Sequence, residues 1–176
     1  MTLKPDFESL VDAHGAELFA YLWRMTRDTP DAEDCLQETY LRAYRAYPRL
    51  DARANCRAWL YKIAANTART HLKRRGRAQA RTVDLDPDLT RGGDPIPDNV
   101  ERRQALASVA RVVESLPHQQ RAALILRKYQ ELSYAAIAAA LECSEAAARA
   151  NVYQALRKLR EELKLAGSDN DQNDRR

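Results

Sequence analysis

Between Thr82 and Asn99 the chain cannot form one continuous helix. Pro87, Pro95 and Pro97 each remove an amide donor, and Gly92-Gly93 weakens the bias toward right-handed backbone. Asp84, Asp86, Asp88, Asp94 and Asp98 make the same stretch acidic and leave it little to bury, so it reads as a linker. The flanking sequence has the opposite character. Glycine is scarce, Ala, Leu, Arg and Glu dominate, and apolar residues recur at helical spacing. Helical sequence on both sides of an acidic spacer predicts an all-α fold of two small lobes, at 6–77 and 100–165. The linker is 78–99 and a polar tail is 166–176, which suits a chain of 176 residues.

In the first lobe, Phe7, Leu10, Val11, His14, Leu18, Tyr21, Leu22 and Met25 form one helical stripe. Asp31 is the expected N-cap of the next helix, with Asp34 as a weak capping box. That helix places Ala32, Cys35, Leu36, Thr39, Tyr40 and Ala43 inward and stops at Pro48. Residues 50–55 read as a loop. A third helix begins near Cys56 with Trp59, Leu60, Ile63, Ala64, Thr67, Ala68 and Leu72 on its apolar side.

Charge is segregated along the chain. Residues 1–51 hold ten acids against six bases. From Ala52 to Val83 there is no acid, and there are nine bases: Arg53, Arg57, Lys62, Arg69, Lys73, Arg74, Arg75, Arg77 and Arg81. Trp59, Tyr61 and Asn66 are interleaved with them. Cations meet phosphates, while rings and amides meet unpaired bases, so this segment is a candidate nucleic-acid surface. Its alternative is a solvated basic helix face, and either aromatic can instead belong to the core.

In the second lobe, Leu106, Val109, Val112, Val113 and Leu116 mark a helix stopped before Pro117, and 118–129 marks another. Residues 132–159 have the pattern of a helix-turn-helix. Ser133 caps a short helix burying Ala136, Ile137 and Ala140; Leu141-Glu142-Cys143-Ser144 makes the turn; Ser144 caps the second helix. There Ala148, Val152, Leu156, Leu159 and Leu163 form an inward stripe, and Glu145, Arg149, Asn151, Tyr153, Gln154, Arg157 and Lys158 the opposite face. Arg, Asn and Gln can pair with base edges in a major groove. Glu142 stands where such turns favour glycine. A helical hairpin that only packs is the alternative.

Cys35, Cys56 and Cys143 are isolated and the three histidines are scattered, so neither a disulfide framework nor a zinc site is expected. No glycine-rich phosphate loop or hydrolase nucleophile motif occurs, so neither cofactor nor catalysis is expected. Asp6 and Glu8 interrupt any signal-peptide pattern, and no apolar run suits membrane insertion, so a cytoplasmic location is expected.

Three blocks now combine. Asp31 to Tyr40 resembles segment 2.2 of the extracytoplasmic-function (ECF) sigma factors, the compact transcription initiation factors of bacterial RNA polymerase. Trp59 to Asn66 resembles segments 2.3 to 2.4. Leu116-Pro117, with Leu132 through the helix-turn-helix, resembles segment 4. The resemblance implies that Asp34, Gln37, Glu38 and Arg42 dock on the clamp helices of core RNA polymerase. It implies that Asp51, Arg53, Asn55, Cys56, Arg57, Trp59, Lys62, Asn66 and Arg69 recognise and melt the −10 promoter element. It assigns the −35 element to Ser144, Glu145, Arg149, Asn151, Tyr153, Gln154, Arg157 and Lys158, with the second lobe on the polymerase β-flap. Ala147 replaces a common hydroxyl residue and Asn151 a common arginine, so base preference need not follow the family. The resemblance also implies an anti-sigma partner and a linker directed toward the RNA exit path. The rival is a stand-alone helix-turn-helix regulator, which would leave the basic first lobe without a purpose; an RNA-binding adaptor would leave the second lobe unexplained.

Overall fold

The computed structural model describes the backbone of residues 5–81 and 100–173, and the side chains of 5–78 and 106–164. The expected linker therefore lies almost entirely outside the described residues. Seven α-helices make up the described chain, and no strand occurs among the described residues.

The first lobe contains α1 (Phe7–Thr26), α2 (Thr29–Ala46) and α3 (Cys56–Arg81). Asp6 caps α1 by accepting from the Ser9 amide at 2.8 Å. Arg27 ends it in left-handed backbone (φ 58°), returning its amide to the Trp23 carbonyl. The cap of α2 is Asp28, not Asp31: Asp28 Oδ1 accepts from the Asp31 amide at 2.9 Å. Pro30 explains the shift, because proline favours the first helical turn, so the helix has already begun three residues earlier than expected. A 3₁₀ turn over Tyr47–Arg49 accommodates Pro48. Asn55 Oδ1 then accepts from the Ala58 amide and starts α3. This helix continues four residues past the expected end of the lobe at 77; no proline intervenes.

The core of this lobe comprises Leu18, Tyr21, Leu22 and Met25 from α1, Ala32, Cys35 and Ala43 from α2, and Leu60, Tyr61, Ala64, Ala65 and Ala68 from α3. Tyr61 is fully buried edge-on against Tyr21, with ring centroids 5.5 Å apart. Trp59 is half-buried beside Tyr47. Of the two aromatics in the basic segment, Tyr61 therefore belongs to the core. Burial pushes the Cys35 thiol up to about 11, with Asp31 and Asp34 adding to the effect, so it stays protonated near neutrality.

The second lobe contains α4 (Val100–Ser115), α5 (His118–Lys128), α6 (Tyr134–Leu141) and α7 (Glu145–Asn173). Ser133 Oγ accepts from the Ala136 amide and Ser144 Oγ from the Ala147 amide, each at 3.1 Å, so both helices of the helix-turn-helix have the expected caps. Ala148, Val152 and Ala155 are buried, whereas Leu163 is exposed. The inward stripe thus includes Ala155 and ends before Leu163. No proline follows Leu165, and α7 runs on through the expected tail to Asn173.

The two lobes pack together. One continuous cluster runs from Leu18 and Ala68 to Ala122, Ile137 and Val152, with α6 lying on α3 and α5 against α1. Polar ties reinforce it. Arg57 Nη2 donates to the Gln130 carbonyl at 2.8 Å, Gln130 Nε2 donates to the Glu17 carbonyl at 3.4 Å, and Arg27 pairs with Glu114 at 3.2 Å. Some polar atoms at the seam are buried without a hydrogen-bond partner: the Tyr21 and Tyr61 hydroxyls, both ring nitrogens of His118 and Arg121 Nε. Such groups offset part of what burial contributes.

Candidate nucleic-acid and polymerase interfaces

Three surfaces carry the expected functional residues. On α2, Ala32, Cys35, Thr39 and Ala43 face inward, which turns Asp34, Gln37 and Arg42 outward. Glu38 pairs with Arg42 one turn on. Leu41 and Tyr44 are 52% and 66% exposed on the same side of α2, adding apolar surface to that polar face. The sequence contained that signal, since both are out of phase with the inward set. Asp31 faces α3 instead, with Arg75 Nη1 and His71 Nε2 (3.1 Å) on its two oxygens.

The second surface is the loop before α3 and the outer side of that helix. Asp51 Oδ1 accepts from the Arg53 amide at 2.7 Å and the Asp51 carbonyl from the Ala54 amide, which fixes the loop as a local turn. Arg53 and Asn55 are exposed, and Cys56 is half-buried. Arg57 is occupied: its Nε and Nη2 form a bidentate pair with Glu17 at 2.9 and 2.6 Å. Burial pushes Glu17 up, but the bonds from Arg57 and His14 outweigh it and hold the carboxyl below its usual range. Arg57 therefore ties α1, α3 and Gln130 together. Lys62, Asn66, Arg69, Lys73 and Arg77 follow at three- and four-residue intervals and make one stripe along α3, half-exposed at its start and exposed thereafter.

The first two members of that stripe meet the other lobe. Lys62 Nζ lies 2.9 Å from Glu142 Oε1, and Asn66 Nδ2 donates to Glu142 Oε2 at 3.3 Å. Glu142 is the expected glycine-like position: it ends α6 at φ 53°, with its amide bonded to the Ala138 carbonyl. Left-handed backbone costs a residue with a Cβ about 1 kcal/mol. The hydrogen bonds from Lys62 and Asn66 hold the Glu142 carboxyl below its usual range.

The third surface is the outer face of α7. Arg149 pairs with Glu145 at 2.6 Å and lies 4.4 Å from the centroid of the Tyr134 ring. Gln154 Oε1 accepts from Gln120 Nε2 at 2.8 Å, and Arg157 sits 3.5 Å from Glu161. Tyr153 is 61% exposed, and Asn151 and Lys158 are half-buried. Tyr134 and Gln120 hold side chains on the outer face of α7, and sequence reasoning missed both. Each partnership links different helices, so no periodicity within one helix reveals it.

Among the described residues no group of three or more His, Cys, Asp or Glu could hold a metal ion. No described helix is long and apolar enough to cross a membrane.

Comparison with known proteins gives the same division. Residues 10–78 match the family described as Sigma-70 region 2, and residues 106–159 that described as Sigma-70, region 4. The chain is 30% identical over 160 residues to the RNA polymerase sigma-H factor of Pseudomonas aeruginosa, with 86% of this chain and 83% of that protein covered. It is 28% identical over 166 residues to the ECF RNA polymerase sigma factor SigE of Mycolicibacterium smegmatis, covering 94% of this chain and 64% of that protein. The fold is similar to that of the sigma factor RpoE from Bartonella quintana, solved in complex with the anti-sigma factor NepR. The TM-score is 0.72 at 23% identity, covering 90% of this chain and 97% of that one.

Proposed function

The chain belongs to the ECF family of RNA polymerase sigma factors, which direct core polymerase to promoters, and from that premise we propose how its surfaces divide the work. The outer face of α2 docks on core polymerase through Asp34, Gln37, Glu38 and Arg42, with Leu41 and Tyr44 as apolar contacts. The loop at 51–56 and the α3 stripe engage the −10 element, Trp59 bordering the site where an extruded base stacks. The outer face of α7 reads the −35 element. The chain does this without catalysis of its own, in the cytoplasm where polymerase and promoters meet. An anti-sigma factor, as seen with the Bartonella protein, restrains it.

The α3 stripe carries this reading: Lys62, Asn66, Arg69, Lys73 and Arg77 share one face and no acid of their own helix answers them. Single strands present phosphates and unpaired base edges together, and cations alternating with an amide suit both. The energetics are compatible. Unstacking a duplex costs about 1.4 kcal/mol per step, and capture of a base by stacking returns about 1–3 kcal/mol. Binding alone can therefore open a short segment without nucleotide hydrolysis.

The test is run-off transcription from a genomic promoter library with purified bacterial core polymerase, with and without this chain. Discrete transcripts that require it are expected. DNA binding by the chain alone, with no new transcripts, would favour the stand-alone regulator.

A further inference from the structure

Glu142 carries a side chain at a position whose backbone favours having none, and its neighbours indicate what the carboxylate does there. Its two oxygens are divided between Lys62 and Asn66, the first two members of the α3 stripe. Glu142 itself lies in the turn of the helix-turn-helix. A carboxylate from the −35 lobe thus covers groups assigned to the −10 strand. To an ammonium and an amide N–H, a carboxylate and a phosphodiester look alike, each presenting two oxygens that share one negative charge. We propose that Glu142 is an intramolecular stand-in for a promoter phosphate, so that closed packing of the two lobes and engagement of the −10 strand exclude each other. This rests on the reading of α3 as the −10 surface.

The geometry limits the strength of the device. The Lys62 and Glu142 side chains are 44% and 53% exposed, so water and salt screen the pair. An exposed pair of this kind is worth up to about fivefold in an equilibrium. It biases the free chain toward the closed form without locking it, and a strand offering several phosphates displaces it. The contact ties the two DNA-reading lobes to one switch: strand capture at α3 frees the turn that leads into α7.

Fluorescence anisotropy of the full chain with fluorescein-labelled oligothymidine at low salt tests this. Glu142→Gln and Glu142→Gly are each expected to tighten binding about three- to fivefold and to raise the radius of gyration in small-angle scattering. Glu142→Gly also relieves the left-handed backbone, so a folding defect cannot mask the result. Glu131→Gln makes the same change of charge at an exposed residue outside the contact and is expected to leave affinity unchanged. Wild-type affinity in both Glu142 variants, or an equal gain in Glu131→Gln, overturns the proposal. The combined Lys62→Ala, Asn66→Ala variant separates the two readings. Wild-type binding by that variant sinks the assignment of α3 itself. Lost binding there, with no gain at Glu142, sinks only the stand-in.

Discussion

The outer faces of α3 and α7 are both polar and both assigned to DNA, yet they manage charge in opposite ways. On α3 the stripe from Lys62 to Arg77 meets no acid of its own helix, and the carboxylate it does meet comes from the other lobe. On α7, Arg149 and Arg157 each have a glutamate one turn away, and Gln154 is held by Gln120. The first surface is positive and unselective; the second is nearly neutralised and pre-positioned. On the proposed assignment, phosphates would grip the former whatever the sequence, whereas the latter would gain most when a base edge replaces an internal partner. Grip and discrimination are therefore assigned to different lobes.

The sharpest way to break this contrast is to reverse the α3 stripe. Arg69→Glu with Lys73→Glu is expected to lower promoter opening, read by permanganate reactivity, by about a hundredfold, and to flatten the salt dependence of strand binding. Affinity for core polymerase, measured separately, should be unchanged; if both fall together, α3 is not a dedicated DNA face. On α7 the effect should depend on sequence instead. Arg149→Ala is expected to cost about tenfold in −35 duplex affinity and to relax preference at one base position. A uniform loss across all duplexes would assign Arg149 to phosphate.

A pH titration tests what holds the two faces together. Burial pushes His118 down from 6.5 to about 4, with Arg121 and Arg69 contributing. Parted lobes expose this ring and let it take up a proton first. Over the window from about 6.5 down to about 4 the parted state binds more protons, so closed packing loses stability as pH falls. Hydrogen-exchange protection at the α3–α6 contact, normalised to the intrinsic rate at each pH, should fall on acidification, and His118→Leu should flatten the profile. A flat profile in the unmodified chain would place the ring outside the seam. The smallest effect is expected from Glu145→Gln. Freeing Arg149 should raise non-specific duplex binding about two- to threefold at low salt; no rise would mean that Tyr134 alone restrains it.

Helices, caps and faces were legible because they depend on neighbours three or four residues away. Ser133, Ser144 and the inward set of α2 stand as read. The cap of α2 was read at Asp31 and stands at Asp28, because Pro30 belongs in the first turn of the helix. Tyr61 was distinguished as fully buried, and Trp59 as half-buried at the core's edge, only once Tyr21 lay edge-on to Tyr61. Glu142 could be read as a residue out of place, but its partners lie 76 and 80 residues away in sequence. The packing of the two lobes left no trace in the sequence pattern, since much of the meeting surface is alanine, which any helix tolerates.

That alanine seam has a mechanical consequence. α6, whose buried residues are Ile137, Ala140 and Leu141, lies on α3, whose buried set includes Ala65 and Ala68. Small side chains let the two axes come close, but each methyl removes little surface from water, about 0.8 kcal/mol apiece. The joint is consequently tight in fit and shallow in energy, pinned by a few polar ties. A ligand that binds the parted form about ten-thousandfold better than the shut one can invert the population almost completely. A polymerase that held both lobes at once, as the proposed docking implies, would supply such a preference.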